Sequence, residues 1–217
     1  YLHPSCLHLQ PHHSSMITWY LDICITILCV QHTLAPLPSY VHPHTQQEIL
    51  ETHYVVLDQL NICHTDSHNY TFPLLIAIKS APGNRLQRDT LRQTWLPEVV
   101  NQRIPYVFIL GSTTDQQQLD ALVSENNMYN DLLIGKAIDH YYNLTLKGMF
   151  VLRWVRSRCP SRWLFYMDDD VLFNVELTMR YVMSKSNLSD AAIYCNVFRN
   201  SRVYRNEKSK WFIPRSV

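Results

Sequence analysis

From Phe72 onward, apolar and polar positions fall into blocks with two alternating periods. "FPLLIAIKS" (Phe72 to Ser80) is a short continuous apolar run, the pattern of a buried strand. "APGN" breaks it, and Asn84 with Gln87 three residues on resembles a capping signal for a helix over "RLQRDTLRQTW". "IPYVFILGS" predicts a second strand ended by Gly111, "DQQQLDALVSENNMY" a polar helix, and "DLLIG" a brief third strand. "YNLTLKGMFVLRWVRSRC" reads as a long helix, apolar on most sides and so packed within the fold. "RWLFYMD" is a fourth strand, "NVELTMRYVMS" the helix after it and "AAIYCNVF" a further strand. Strands alternating with helices predict an α/β fold, a mainly parallel sheet with helices on both faces. Ligands in such sheets bind beyond the carboxyl ends of strands.

Before Phe72 the pattern differs. The segment is rich in His and Pro and holds one apolar run, "MITWYLDICITILCV", Met16 to Val30. It is shorter than the roughly 20 residues a membrane span needs, and it contains Asp22. Its length suits a signal-peptide core, yet no Lys or Arg precedes Lys79 to orient it. Two readings stay open, an altered signal anchor or a buried helix. "HTLAPLPSYVHPHTQQ" then reads as a stem. The expected division is an N-terminal segment over 1–35 with a candidate signal anchor at 16–30, a stem over 36–70 and one globular domain over 71–217.

Composition narrows the picture. A chain of 217 residues can bury one real core, and its formal net charge of +1 gives no reason to expect nucleic acid. Of its 6 cysteines, Cys24 and Cys29 sit in the apolar run as small hydrophobes; Cys63, Cys159 and Cys195 belong to the globular part, an odd number. Sequons begin at Asn69, Asn143 and Asn187. Asn143 opens a packed helix, which leaves Asn69 and Asn187 as the candidate glycosylation sites.

The chemistry concentrates in "WLFYMDDDVLFN", Trp163 to Asn174. Three adjacent carboxylates raise one another's cost of ionisation, and a cation relieves it. At a strand's end, the first and third side chains point to the same side, so Asp168 and Asp170 form the functional pair and Asp169 faces elsewhere. One or two carboxylates leave a magnesium or manganese ion open positions for phosphate and water. The competing reading is a solvated acidic turn. Arg88 and Arg92, four apart, share a helix face. Two roles are open to them: phosphate contact at a donor site, or a structural ion pair with Glu125 or Asp139. Trp95 reads as core, and Asp139 and Lys147 as packing or ion-pair residues.

Several blocks, in order, resemble the β-1,3-glycosyltransferases, which include galactosyl-, N-acetylglucosaminyl- and Brainiac-type enzymes. "RDTLRQTW" is similar to that family's Arg-x-x-x-Arg-x-Thr-Trp helix, and "YVFILG" to its second strand. "SENNMYNDLLI" and "DHYYNLTLKG" follow, then "RWVRSRCP", "FYMDDDVLFN" and "KSKWFIP". The resemblance covers about Leu74 to Pro214. It implies a GT-A-type nucleotide-binding fold, incomplete at its C-terminus, and a metal-dependent, inverting hexosyltransferase. Such an enzyme moves galactose or N-acetylglucosamine from a UDP-sugar, in β-1,3 linkage, to a glycan acceptor on glycoprotein or glycolipid. It also implies a divalent cation, commonly Mn2+, on Asp170 and Asp168, with Asp168, Arg88 and Arg92 near the donor. A single-pass type II Golgi membrane protein with a lumenal catalytic domain follows from the same likeness. Lys136, Ala137, Met167 and Cys195 stand where the family usually has other residues. The family's acceptor region and its catalytic base are expected beyond Val217, so no base is assigned, and the alternative is a non-catalytic UDP-binding form.

Overall fold

A computed structural model describes residues 26–29, 55–58, 62–63, 72–185, 193–195, 202–209, 212 and 215. Among these residues, seven strands form one sheet: β1 Thr26–Cys29, β2 Val55–Leu57, β3 Phe72–Lys79, β4 Tyr106–Ser112, β5 Leu132–Ile138, β6 Ser161–Asp168 and β7 Ile193–Tyr194. Their order is β2-β5-β4-β3-β6-β1-β7. The four central strands are parallel, while β2 and β1 pair antiparallel with β5 and β6. The helices are α1 Arg85–Gln93, α2 Leu96–Asn101, α3 Gln116–Tyr129, α4 Leu144–Arg158 and α5 Val175–Ser184, with a short 3-10 turn Tyr141–Asn143 before α4.

Alternate residues of each central strand face different helices. Leu74, Ile76, Ile78, Phe108, Leu110 and Phe165 join one core with Leu91, Leu96, Val99, Leu122 and Val182 of the other helices. Leu75, Ala77, Val107, Ile109, Leu133 and Leu164 join a second core with Phe150, Val151, Trp154 and Val155 of α4. Burial on both faces is why β3 and β4 read as unbroken apolar runs. From β3 the chain steps outward to β4 and β5, then returns through α4 to β6 on the other side of β3. The connection reverses between β3 and β6, and a reversal of this kind opens a crevice at the carboxyl ends of the two strands.

One difference from the pattern has a local cause. The helix expected over residues 85–95 breaks after Gln93 and restarts as α2. Pro97 lies in the first turn of α2; one continuous helix would press its ring against the carbonyl of Gln93. Both α3 ends carry their own stop signals. The Asp115 side chain accepts from the Gln117 and Gln118 amides, and Asn130 closes the helix in the left-handed region at φ 51°.

The domain begins earlier than expected. Val55–Leu57, placed in the stem, is a strand that covers the outer edge of β5, and an uncovered edge is a liability. Asp58 accepts a hydrogen bond of 2.7 Å from Trp154 Nε1, and Cys63 is disulfide-bonded to Cys159. Thr26–Cys29, from the apolar run read as a signal anchor or a buried helix, is a strand, and β6 bonds to it along its free edge. The remainder of Met16 to Val30 lies outside the described residues, as do Asn69, Asn187 and most of the strand expected over residues 191–198. Among the described residues, no helix is long and apolar enough to cross a membrane.

Candidate functional site at the strand ends

The β3–β6 register places Lys79 opposite Asp168. Lys79 Nζ lies 2.7 Å from Asp168 Oδ1, and 5.2 Å from the centroid of the Tyr166 ring. Burial, then the charges of Asp168 and Asp139, push the Tyr166 phenol above its usual range, and its hydroxyl lacks a partner among the described residues. Asp169 turns inward. Its Oδ2 accepts from Ser80 Oγ at 2.6 Å and from Asn84 Nδ2 at 3.0 Å. Asn84 stands at the N-cap of α1 but makes no side-chain cap there; its amide is spent on Asp169 instead. Asp170 is exposed and makes no ion pair or hydrogen bond among the described residues. The first and third carboxylates are therefore the ones open to solvent, and the middle one fastens the turn to the β3–α1 loop.

Ser80, buried behind this turn, is a hub. Its hydroxyl accepts from Arg88 Nη1 at 2.9 Å, and its carbonyl accepts from Lys147 Nζ at 2.9 Å. Lys147 pairs with Asp139 at 2.7 Å, and Asp139 Oδ2 accepts the Gly111 amide at 2.7 Å. Strand ends β3, β4 and β6 are thus linked to the start of α1 and the first turn of α4 by polar contacts. Trp95 supplies a further tether: its Nε1 donates to the Val171 carbonyl at 3.1 Å, and its ring packs on Phe173. It is core, as its sequence setting suggested.

Arg88 and Arg92, placed near the donor by the family likeness, form the alternative the sequence also offered, a structural ion pair with Glu125. Arg88 is 0% exposed, and every guanidinium N–H is directed at an acceptor: Glu125, Ser80, or the carbonyls of Ala81 and Pro82. Arg92 joins Glu125, Asp131 and Asp89. Burial works against the Glu125 carboxylate, but hydrogen bonds from Arg88 and Arg92 outweigh it and hold its pKa below the ordinary value. A guanidinium so enclosed has no edge left for phosphate. Arg88 acts on the site through Ser80. Asp139, offered by the sequence as a partner for Arg88 or Arg92, pairs with Lys147 instead, and the Asn143 amide donates to the Ile138 carbonyl at 2.9 Å.

Sequence reading missed Lys79, Ser80 and Asn84. The available signal was a Lys-Ser pair closing an apolar strand, the same kind of position that drew attention to the aspartates. Among the described residues, no three His, Cys, Asp or Glu side chains converge as a metal cluster. Asp168 and Asp170 supply two hard oxygen donors, which suits a cation that takes its other ligands from phosphate and water.

An α/β sheet with an acidic turn at its switch point defines a class of ligand-binding protein. Comparison with known proteins narrows it. Residues 86–217 match the family described as galactosyltransferase, and the chain belongs to that family. It is 35% identical over 150 residues to N-acetyllactosaminide beta-1,3-N-acetylglucosaminyltransferase 2 of Mus musculus, covering 65% of this chain and 38% of that protein. It is 32% identical over 151 residues to lactosylceramide 1,3-N-acetyl-beta-D-glucosaminyltransferase A of Xenopus laevis, covering 65% and 40%. Beta-1,3-galactosyltransferase 1 of Mus musculus is 26% identical over 149 residues, covering 67% and 46%. The chain spans less than half the length of each of these relatives.

Proposed function

We propose that this protein is a hexosyltransferase that moves N-acetylglucosamine or galactose from a UDP-sugar to the 3-hydroxyl of a glycan acceptor, on glycoprotein or glycolipid, with inversion. The observation that carries the reading is the Asp168–Asp170 turn at the β3–β6 crevice, in a chain of the galactosyltransferase family. Asp168 and Asp170 would hold a divalent cation, with manganese the first candidate. Bound there, the cation supplies Lewis-acid stabilisation of the charge on departing UDP. The chain's own part is to orient those carboxylates: Asp169, Ser80 and Asn84 pin the turn, so its geometry is set before a ligand arrives. A Golgi-lumenal setting fits the Cys63–Cys159 disulfide, since such bonds persist in oxidising compartments.

The test is calorimetry of UDP binding with and without manganese, on the wild type and on Asp170→Ala. Asp170 is exposed and unpartnered among the described residues, so its loss is expected to leave the melting temperature unchanged while lowering manganese-dependent UDP affinity at least tenfold. Equal binding by both proteins would sink the assignment. Transfer from radiolabelled UDP-N-acetylglucosamine or UDP-galactose to a lactosamine-terminated acceptor tests the reaction itself. UDP binding without transfer to any acceptor would favour a binding protein.

A further inference from the structure

Lys79, Arg88 and Lys147 are cations near the carboxyl ends of these strands. Two are committed. Arg88 is enclosed by Glu125, Ser80 and two backbone carbonyls. Lys147, 8% exposed, is shared between Asp139 and the Ser80 carbonyl. Lys79 differs. Its polar partner is the single carboxylate of Asp168, its side chain is 24% exposed, and that of Asp168 is 49% exposed. The Tyr166 ring supports the ammonium from one side without consuming a hydrogen-bond donor. The pairing is set by the sheet, because Lys79 and Asp168 are register partners on adjacent parallel strands.

We propose that Lys79 is a counter-ion that competes with the divalent cation for Asp168, and that its ammonium turns to the donor diphosphate when the cation takes that carboxylate. This rests on the reading of Asp168 as a cation ligand. The physical argument is charge accounting. A carboxylate oxygen shared by an ammonium at 2.7 Å is a poorer ligand for a second cation, since the two positive charges repel. Once displaced, a lysine ammonium at the β3 end can exchange that carboxylate for the pyrophosphate of a nucleotide bound in the crevice. A lysine suits that exchange better than an arginine, being a compact charge on a flexible stem with freely rotating donors. No bond is made or broken in this step; one ion pair is traded for another.

The consequence is a variant with effects of opposite sign. In Lys79→Gln, manganese alone is expected to bind about threefold to tenfold more tightly, because its competitor is gone. UDP, measured at saturating manganese, is expected to bind about fivefold to tenfold more weakly, because a phosphate contact is gone. Lys79→Arg keeps the charge and is expected to stay near wild type in the manganese titration. Manganese can be followed by its paramagnetic resonance signal and UDP by calorimetry, so neither readout depends on turnover. Manganese binding unchanged or weakened in Lys79→Gln overturns the competition, and UDP binding unchanged overturns the phosphate contact. Absence of manganese binding by the wild-type chain overturns both this inference and the proposed function. Wild-type binding with an indifferent Lys79→Gln overturns the inference alone.

Discussion

Glu125 shows at the scale of one residue how burial and charge decide a role. It is 2% exposed and accepts hydrogen bonds from Arg88 and Arg92. A buried carboxylate survives ionised only if its partners repay the lost hydration, and Arg88 and Arg92 do so with short charge-assisted bonds. Its native pKa is lowered, so its contribution to stability is complete above the ordinary value of 4.5 and drains as pH falls below it toward the native value. Glu125→Gln is expected to lose about 3–5 kcal/mol at neutral pH, because Arg88 is left buried without a counter-charge. Its stability is also expected to vary less below pH 4.5 than that of the wild type. Urea midpoints measured across that range check both effects; parallel acid limbs in the two proteins would show that Glu125 is not the titrating group.

At the scale of elements, the site depends on how closely β4 can approach the end of β5. A Cβ on Gly111 would lie 2.7 Å from the Ala137 carbonyl oxygen and 2.7 Å from Asp139 Cα. Both are backbone atoms, so nothing flexible can move aside, and only glycine fits between the strands there. The same approach lets the Gly111 amide reach Asp139, which in turn holds Lys147 and through it Ser80. Gly111→Ala is expected to cost about 1–3 kcal/mol from overpacking. It is also expected to weaken UDP binding beyond what the stability loss explains, because the latch behind the aspartate turn is displaced. A chemical-denaturation curve with calorimetry on the folded fraction separates the two. A variant with wild-type stability would mean that the strand ends have room to spare.

At the scale of the whole molecule, one covalent bond ties the early chain to the sheet. Cys63–Cys159 spans 96 residues of sequence and joins the segment after β2 to the end of α4, immediately before β6. Closing a loop of that length restricts the unfolded chain and is worth on the order of 4–5 kcal/mol in the loop-entropy account. Cys159→Ser, with Cys63→Ser to avoid a stray thiol, is expected to lower the melting temperature markedly, and the wild type under reductant is expected to match it. If reductant leaves the wild-type midpoint untouched, the bond is absent in solution. Cys195 is exposed and free, and it is expected to react with a labelling reagent before reduction.

The strands and helices of the 72–184 region were legible in the sequence because each follows from local pattern. Double-sided burial makes β3 and β4 continuous apolar runs, and the position of Asp168 to Asp170 follows from where such a run stops. The family likeness was legible for the same reason, since its motifs are contiguous stretches. Chain topology was not: that β6 returns beside β3, and so sets Lys79 against Asp168, depends on strand order, which no local window encodes. The choice between phosphate contact and ion pair for Arg88 was equally undecidable, because its partner Glu125 lies 37 residues away in sequence. Asn84 illustrates the limit most plainly. Its neighbours make it a helix cap, yet its amide goes to Asp169, 85 residues on. A side chain takes the best acceptor that the packed molecule brings within 3 Å, and only folding determines which acceptors those are.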